Sequence, residues 1–586
     1  MGKSYLLQQK RVKGWFINYS ANQKVRYIRA SEIMIRDRKI FILFLCLLCF
    51  AVYFNSLSNN FILDDNILIV KNPIIKSVKL FPLILKGNVS EYSSLITRPY
   101  NKMYRPLQLL SYAIDYKIWK LNPLGFHIIN VAIHLFNSIL VYYLLLIIFN
   151  NIQVSWIVSI IFLVHPIHTS VVSYISSRAD LFVYFFMLLS MISFLKFIKE
   201  RINLYYVISL LFALFALFSR ENALILFIFL ALLLSVTKAR ASDYLYILPF
   251  VLLSLLYILL RFIIFGPNAL TLHYSFMPFF FRVVNLLNII PRFLFLLIFP
   301  LNLHLFRTTP FITHLLDKNM LLVMPFVLFL IIIFMKFYKN KIIMFCMLWF
   351  LIGMIPVFTI LDNYYELNEA MMAESWLYIP SLGFFVAFIY ILEKISKKIG
   401  IILIISSVVF YSFLTWVNNA YWKNEGVFYR NILENTSERN YLRINLINYY
   451  LTCGAYEKAL IEIKKLSLYY PDTPYLYYIW GNYYLAVGQI NEAIDSFNKV
   501  LTINKNYYIA YYHLCVCYTK LGQLEKAIYS ALECFKINPY YLDNLIGLGD
   551  LYVKKGQLSD AKKYYYKALE IGADGQLIKE KLKNAE

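Results

Sequence analysis

Apolar runs of membrane-spanning length dominate residues 40–417, and a water-soluble pattern replaces them from 418 to 586. A helix needs about 20 apolar residues to cross a bilayer. Segments 40–57, 126–148, 154–173, 181–198, 204–218, 223–237, 244–265, 320–336, 342–361, 376–392 and 399–417 meet or approach that length. Segment 282–303 differs, because Pro291, Pro300, Arg282 and Arg292 suit a broken helix that is re-entrant or lies at the interface. Eleven crossings are therefore expected. The prediction is an all-α protein in which a polytopic domain precedes a soluble one.

The soluble part has a period. Gly454, Gly488, Gly522 and Gly556 are spaced by 34, as are Ala459, Ala493, Ala527 and Ala561, and Tyr450, Tyr484, Tyr518 and Tyr552. Gly481 and Gly549 each stand 12 positions before their alanines, and Pro471 and Pro539 close repeats. This resembles the tetratricopeptide repeat, in which paired antiparallel helices stack through small residues into a solenoid. Four repeats are expected over 440–575, with a concave face that binds a peptide or protein, acceptor or partner. A folded spacer, or a docking surface for another subunit, is the plainer alternative.

The organisation expected is a basic tail (1–39), a membrane domain (40–417) with a large first outer loop (58–125), a connector (418–439), the repeats (440–575) and a short tail (576–586). Only 15% of residues are charged and mean hydropathy is +0.60, whereas soluble domains carry about 25% charged residues. An ordinary cytosolic enzyme is thereby excluded.

The net charge of +24 suggests nucleic acid, but ten basic residues fall between Lys3 and Lys39 against only Glu32 and Asp37. That is a cytoplasmic flank under the positive-inside rule, and no nucleic-acid motif accompanies it. With the N-terminus inside, the clusters at Lys196, Lys199 and Arg201 and at Lys238 and Arg240 also fall inside. If 282–303 does not cross, Lys336, Lys339, Lys341, Glu393, Lys394, Lys397 and Lys398 do likewise, and the repeats lie on the extracytoplasmic side. The seven cysteines form no disulfide or metal pattern. The first apolar stretch lacks a cleavage site and is expected to remain as a signal anchor.

Ionisable groups at a membrane edge are costly and mark function. The first outer loop opens with Asp64-Asp65, two adjacent carboxylates whose repulsion calls for a cation, metal or proton. Tyr104-Arg105-Pro106, His165-Pro166-Ile167-His168-Thr169 and Arg178-Ala179-Asp180 emerge on the same face. Together they could form an acid/base and phosphate site. Taken singly, an Asp-Asp pair is commonly a solvated turn or cap, and Arg178 could snorkel at the interface. His165 and His168 have spacing compatible with a divalent metal, but hydrogen bonding is their expected role and no metal is expected.

These strings, with Phe61-Ile62-Leu63 before the acids, the Leu121-to-His134 segment and Ala373-Glu374-Ser375-Trp376-Leu377-Tyr378, resemble one family. It is the transmembrane and tetratricopeptide-repeat protein O-mannosyltransferases and their prokaryotic relatives, of the GT-C class. The resemblance implies a GT-C-like membrane domain. It also implies inverting transfer of a sugar from a polyprenyl-phosphate donor to an acceptor hydroxyl, a protein Ser or Thr, on the outer or lumenal side. It assigns the general base to Asp64, with Asp65 as alternate or orienting partner. Arg105, Arg178 or Arg292 would hold the donor phosphate, and His165, His168, Asp180 and Glu374 would line the donor or substrate site. Where members of that family commonly carry Glu-Arg, this chain has Glu374-Ser375, so a cation from elsewhere or a different donor is expected.

The lipid-linked sugar is the one cofactor-like molecule implied, and membrane lipid and an acceptor protein are the partners; nucleic acid is not. Abundant Ile, Asn, Lys and Tyr suggest an AT-rich genome and a bacterial plasma membrane, or an endoplasmic reticulum if the source is eukaryotic. Two other classes compete: a non-enzymatic membrane scaffold, for which Asp64 and Asp65 would be dispensable, and a multi-span polysaccharide ligase or polymerase. The latter would carry its polar site in a large late loop, whereas the long outer loop here is the first.

Overall fold

A computed structural model describes residues 39–583 except 73, 77–83, 85–103, 238, 267–277, 361–368, 395–396, 437–439, 572 and 574. The basic tail before Lys39, and Lys238, lie outside the described residues.

The chain is helical, a membrane-type bundle followed by a C-terminal solenoid of tetratricopeptide repeats. Among the described residues, seven helices are long and apolar enough to cross a membrane: Lys39–Ser58, Pro123–Phe149, Ile175–Glu200, Ala241–Phe265, Phe279–Ile298, Met320–Phe337 and Lys398–Ala420. Ile152–Val164 and Pro166–Val172, bent by 52° at their junction, make an eighth if taken as one span. Asn203–Ser219, Glu221–Val236 and Lys341–Val357 are apolar but shorter.

Three details depart from the apolar pattern. The segment expected to be broken is one continuous helix, Phe279–Ile298, with Pro291 inside it. Beyond it, the carbonyls of Leu297 and Leu303 meet His165 and Asn431. The segment expected as a span over 376–392 is instead a short turn, Glu374–Leu377, and a helix, Ser381–Lys394. A two-stranded antiparallel ribbon, Thr308–Pro310 against Glu369–Met371, interrupts the helical plan, with Thr309 opposite Ala370.

The sharp bend at His165-Pro166 leaves backbone carbonyls without helical partners, and inside a membrane each must be satisfied by the protein. The helix Pro123–Phe149 supplies the donors from one polar stripe. Asn130 donates to the carbonyl of Val172 (3.3 Å), His134 Nε2 lies 3.0 Å from that of Leu163, and Asn137 donates to Leu181 (3.1 Å). Spacings of four and three put these three on one helix face. All are fully buried. They fix the path of the chain from Leu163 to Leu181, which carries much of the candidate site.

In the solenoid, the pairs Asn440–Thr452/Tyr456–Tyr469, Pro474–Val487/Ile490–Ile503, Tyr508–Lys520/Leu524–Ile537 and Leu542–Lys554/Leu558–Glu570 repeat at the predicted step. Its recurring glycines do two different jobs. Gly454, Gly488, Gly522 and Gly556 have φ between +70° and +85° and end the first helix of each pair, a conformation costly for other residues. Gly481 and Gly549 allow close approach instead: an added Cβ would sit 2.5 Å from the Phe497 ring and 2.3 Å from that of Tyr565. Ala459, Ala493, Ala527 and Ala561 are fully buried at the helix crossings. The expected tail is in part a capping helix, Gly575–Lys583, seated through buried Ile578. The expected connector also contains a helix, Glu425–Asn435. Its Phe428 and Ile432 share a buried cluster with Ile62 and Tyr174 of the bundle and with Leu442 and Ile447 of the first repeat.

Candidate functional site

The chain leaves helix Lys39–Ser58 and turns tightly at Ile62–Asn66, where Leu63 adopts φ +50°. A left-handed conformation at a bulky residue is strained and persists only where its surroundings hold it. The restraints here come from three segments. The Asn60 N–H donates to the Lys423 carbonyl (2.9 Å), and Glu425 Oε1 accepts from the Leu63 N–H (3.4 Å) and the Asn66 side chain (3.0 Å). The Asp64 N–H donates to the Tyr174 hydroxyl (3.1 Å), and Tyr174 stacks on Trp422 with ring centres 5.5 Å apart. The solenoid's entry helix thus grips the acidic turn directly.

The two aspartates point to different surroundings. Asp65 is buried; one oxygen accepts from the Ile62 N–H (3.1 Å), the other from the Ser176 N–H (2.8 Å) and the Ser176 hydroxyl. Burial pushes its carboxyl up to about 7, against those three donors, which favour the charged form. Asp64 is exposed. Its carboxyl is also raised by desolvation, and Tyr174 and the Arg105 charge pull the other way. The turn therefore presents one accessible carboxylate and uses its neighbour as an anchor.

Beside it lies a knot of charge. Arg105 pairs with Glu221 at 3.2 Å, Arg261 stands 3.7 Å from the other oxygen of Glu221, and Arg220 pairs with Asp180. Three arginines face two acids, and the Nε atoms of Arg105 and Arg220 are buried without a hydrogen-bond partner among the described residues. Arginines with unused Nε donors, within electrostatic reach of Asp64, suit an anion. Arg220, Glu221 and Arg261 were not singled out in the sequence. An adjacent Arg-Glu pair between two apolar runs was the available signal.

The other expected site residues are placed differently. Arg178 is fully buried and committed: Nε donates to Asn130 (2.7 Å), Nη1 to Asp115 (2.5 Å) and Ser111 (3.1 Å), and Nη2 to the Phe126 carbonyl (2.9 Å). It neither snorkels nor offers a free fork to a phosphate. His165 and His168 are buried with both ring nitrogens engaged, by Leu297 and Ile167 in one case and by Phe162 and Ser381 in the other. Their role is to tie the bent helix to its neighbours. Arg292 reaches Asn288 and Asn319 (3.4 and 3.2 Å), in a group separate from the acidic turn.

Glu374 is buried beneath the solenoid's entry, in a small cavity lined by Thr169, His304, Trp422 and Asn431. It accepts from the His304 N–H at 2.7 Å, and Arg307 stands 4.0 Å away. The cation beside Glu374 thus comes from the ribbon segment, not from position 375. Burial raises the Glu374 carboxyl from 4.5 to about 8, opposed by Arg307 and the His304 N–H. The folded chain then retains a proton that the unfolded chain has released, so the stability tied to Glu374 is fully present below pH 4.5 and is lost as pH rises towards 8. Glu374→Gln is expected to flatten the fall in melting temperature between pH 5 and pH 8, and equal slopes in variant and wild type would refute this assignment.

Fold and site together define a multi-pass membrane protein with one acidic turn at the foot of a tetratricopeptide-repeat solenoid. Tetratricopeptide-repeat family models match residues 484–528 and 542–573. Over 404 residues the chain is 26% identical to protein O-mannosyl-transferase F38B6.6 of Caenorhabditis elegans, covering 66% of this chain and 56% of that one. Over 183 residues it is 32% identical to protein O-mannosyl-transferase TMTC4 of Mus musculus, covering 28% and 24%. The resemblance to the transmembrane and tetratricopeptide-repeat O-mannosyltransferases is thus borne out. The chain spans about half the length of the first relative and a quarter of the second. Among solved structures, that of MamA is 27% identical over 25% of this chain and 85% of its own, with a TM-score of 0.22.

Proposed function

We propose that the chain is an integral-membrane GT-C-type glycosyltransferase. It moves a sugar from a polyprenyl-phosphate donor to a Ser or Thr hydroxyl of a protein, on the extracytoplasmic side of a bacterial plasma membrane. The observation that carries this reading is Asp64, the exposed carboxylate of a restrained turn, anchored by buried Asp65 and within reach of the Arg105 charge. Relatives named as O-mannosyl-transferases support the same chemistry.

In the proposed step the Asp64 carboxylate takes the proton of the acceptor hydroxyl as that oxygen attacks the anomeric carbon. The new carbon–oxygen bond forms on the face opposite the phosphate, and the bond to the phosphate oxygen breaks. Polyprenyl phosphate departs with the electron pair, so the configuration at the anomeric carbon inverts. Arg105 and Arg220, positioned by Glu221 and Asp180, offset the charge that grows on the departing phosphate. No metal enters this scheme. In it, segment 282–303 is re-entrant or lies at the interface, and the basic clusters stay on the cytoplasmic side.

The test is reconstitution in lipid nanodiscs with polyprenyl-phosphate hexoses and Ser/Thr peptides, read by intact mass. Hexose addition to peptide is expected, diminishing at acid pH as Asp64 takes up its proton, with mannose tested first against other hexoses. Transfer confined to a glycan acceptor, or no transfer from any lipid-phosphate hexose, would overturn the reading.

A further inference from the structure

Tyr174 stands where three parts of the chain meet. It lies between helix Pro166–Val172 of the bent pair and the long helix Ile175–Glu200. It is buried, in one cluster with Ile62 of the acidic turn and with Trp422, Phe428 and Ile432 of the solenoid's entry. Its ring stacks on Trp422, with centres 5.5 Å apart and planes 23° apart, and Trp422 rests in turn against Phe428 at 5.1 Å. A ring packed in this way is held in a single rotamer, so its hydroxyl is fixed in space by the entry to the solenoid.

A buried hydroxyl can both accept and donate, and it is costly to leave either capacity unused. The Tyr174 oxygen accepts from the Asp64 N–H at 3.1 Å. Its proton is directed to the carboxyl of the same residue, with which it shares a side-chain hydrogen bond. Backbone and side chain of Asp64 are thereby gripped by one atom. The other charged and titratable groups around the carboxyl act on it through space: Asp65 beside it, Arg105, and Glu425 and Tyr429 on the entry helix. A donor to the charged form of a carboxyl favours that form, so the Tyr174 hydroxyl pulls Asp64 down against the burial that raises it.

We infer that Tyr174 is a positioning residue for Asp64: its hydroxyl clasps the N–H and the carboxylate together, aims the carboxylate and keeps it free of a proton, and Trp422 holds that hydroxyl in place. The inference rests on Asp64 as the base of the proposed transfer. It adds that the seat of the solenoid on the bundle governs the pH range in which that base works. Loss of the hydroxyl lets the Asp64 carboxyl rise, so the acid limb of the rate profile moves to higher pH. A stronger donor at the same place moves the limb to lower pH.

The test compares three forms of the full chain in nanodiscs: wild type, Tyr174→Phe, and the chain with a ring-fluorinated tyrosine at position 174. Fluorine withdraws electrons and makes the hydroxyl a stronger donor, while every packing contact is kept. Two readouts are taken against pH. One is kcat with a lipid-phosphate hexose and a Ser/Thr peptide. The other is the infrared signal of carboxyl protonation that disappears in Asp64→Asn, which needs no turnover. Tyr174→Phe is expected to raise both midpoints by about one pH unit, and the fluorinated form to lower them. A purely structural tyrosine would instead lower the rate equally at every pH, or depress the melting temperature, with the midpoints unmoved. Coinciding midpoints in the three forms, or shifts of the same sign in both altered forms, would overturn the inference. If wild type transfers no sugar, the proposed function falls, and the infrared midpoints still decide whether Tyr174 sets the state of Asp64.

Discussion

Asp64→Asn is expected to lower kcat for sugar transfer by about 10²–10⁴-fold, the share usually carried by a positioned general base, without lowering the melting temperature. Its side chain is exposed, and the interaction that places the turn runs from its backbone N–H to Tyr174, which the substitution leaves in place. Asp65→Asn has the opposite profile. Both oxygens of Asp65 accept hydrogen bonds, two of them from Ser176, so an amide nitrogen in either place faces a donor. An unmet buried donor costs about 1–3 kcal/mol, and loss of stability should precede any loss of rate. Melting curves and initial rates on one preparation of each variant separate the roles. A stable, inactive Asp65→Asn beside an active Asp64→Asn would exchange them.

The split between two adjacent acids shows where the sequence stops being informative. Their presence at the end of the first apolar span is legible as an expensive charge pair at a membrane edge. Which of them is accessible depends on Ser176, 111 residues further on, and on Glu425 in the solenoid's entry helix, 362 residues from Leu63. No local pattern encodes partners that distant. The commitment of Arg178 is hidden for the same reason: the Arg178-Ala179-Asp180 string announces charge but not that Asp115 takes it up. Arg105 and Asp180 do join one charged group, but only through Arg220 and Glu221. Those two stand in the short connection between apolar segments 204–218 and 223–237.

The repeats were legible for the converse reason. Each unit buries the same positions against the next, so the pattern returns every 34 residues, and its phase gives the helix pairs almost to the residue. What the period could not reveal is that the glycines differ in purpose. That depends on backbone angle at Gly488 and on ring contact at Gly481. Nor could hydropathy foresee an unbroken helix through Pro291, since a single proline removes one backbone bond and need not end a helix that has other support.

Arg178→Met should be among the most damaging single changes in stability, and its cost tests the structural role assigned to this arginine. The guanidinium is fully buried, its Asp115 partner is 5% exposed, and it lies over the Tyr112 ring at 4.7 Å. Removing it strands a buried carboxylate, together with the acceptors on Asn130 and Phe126. Breaking a buried pair from one side costs about 3–5 kcal/mol, whereas replacing both partners with apolar groups is often neutral. Arg178→Met/Asp115→Leu should therefore recover much of what the single change loses in thermal melts. A phosphate ligand would behave otherwise, giving a normal melt and a raised KM for the lipid donor, with no rescue by Asp115→Leu. Arg105→Met is expected to follow that second pattern. Its partner Glu221 keeps Arg261 nearby, so the acid is not stranded, and what disappears is the cation beside Asp64.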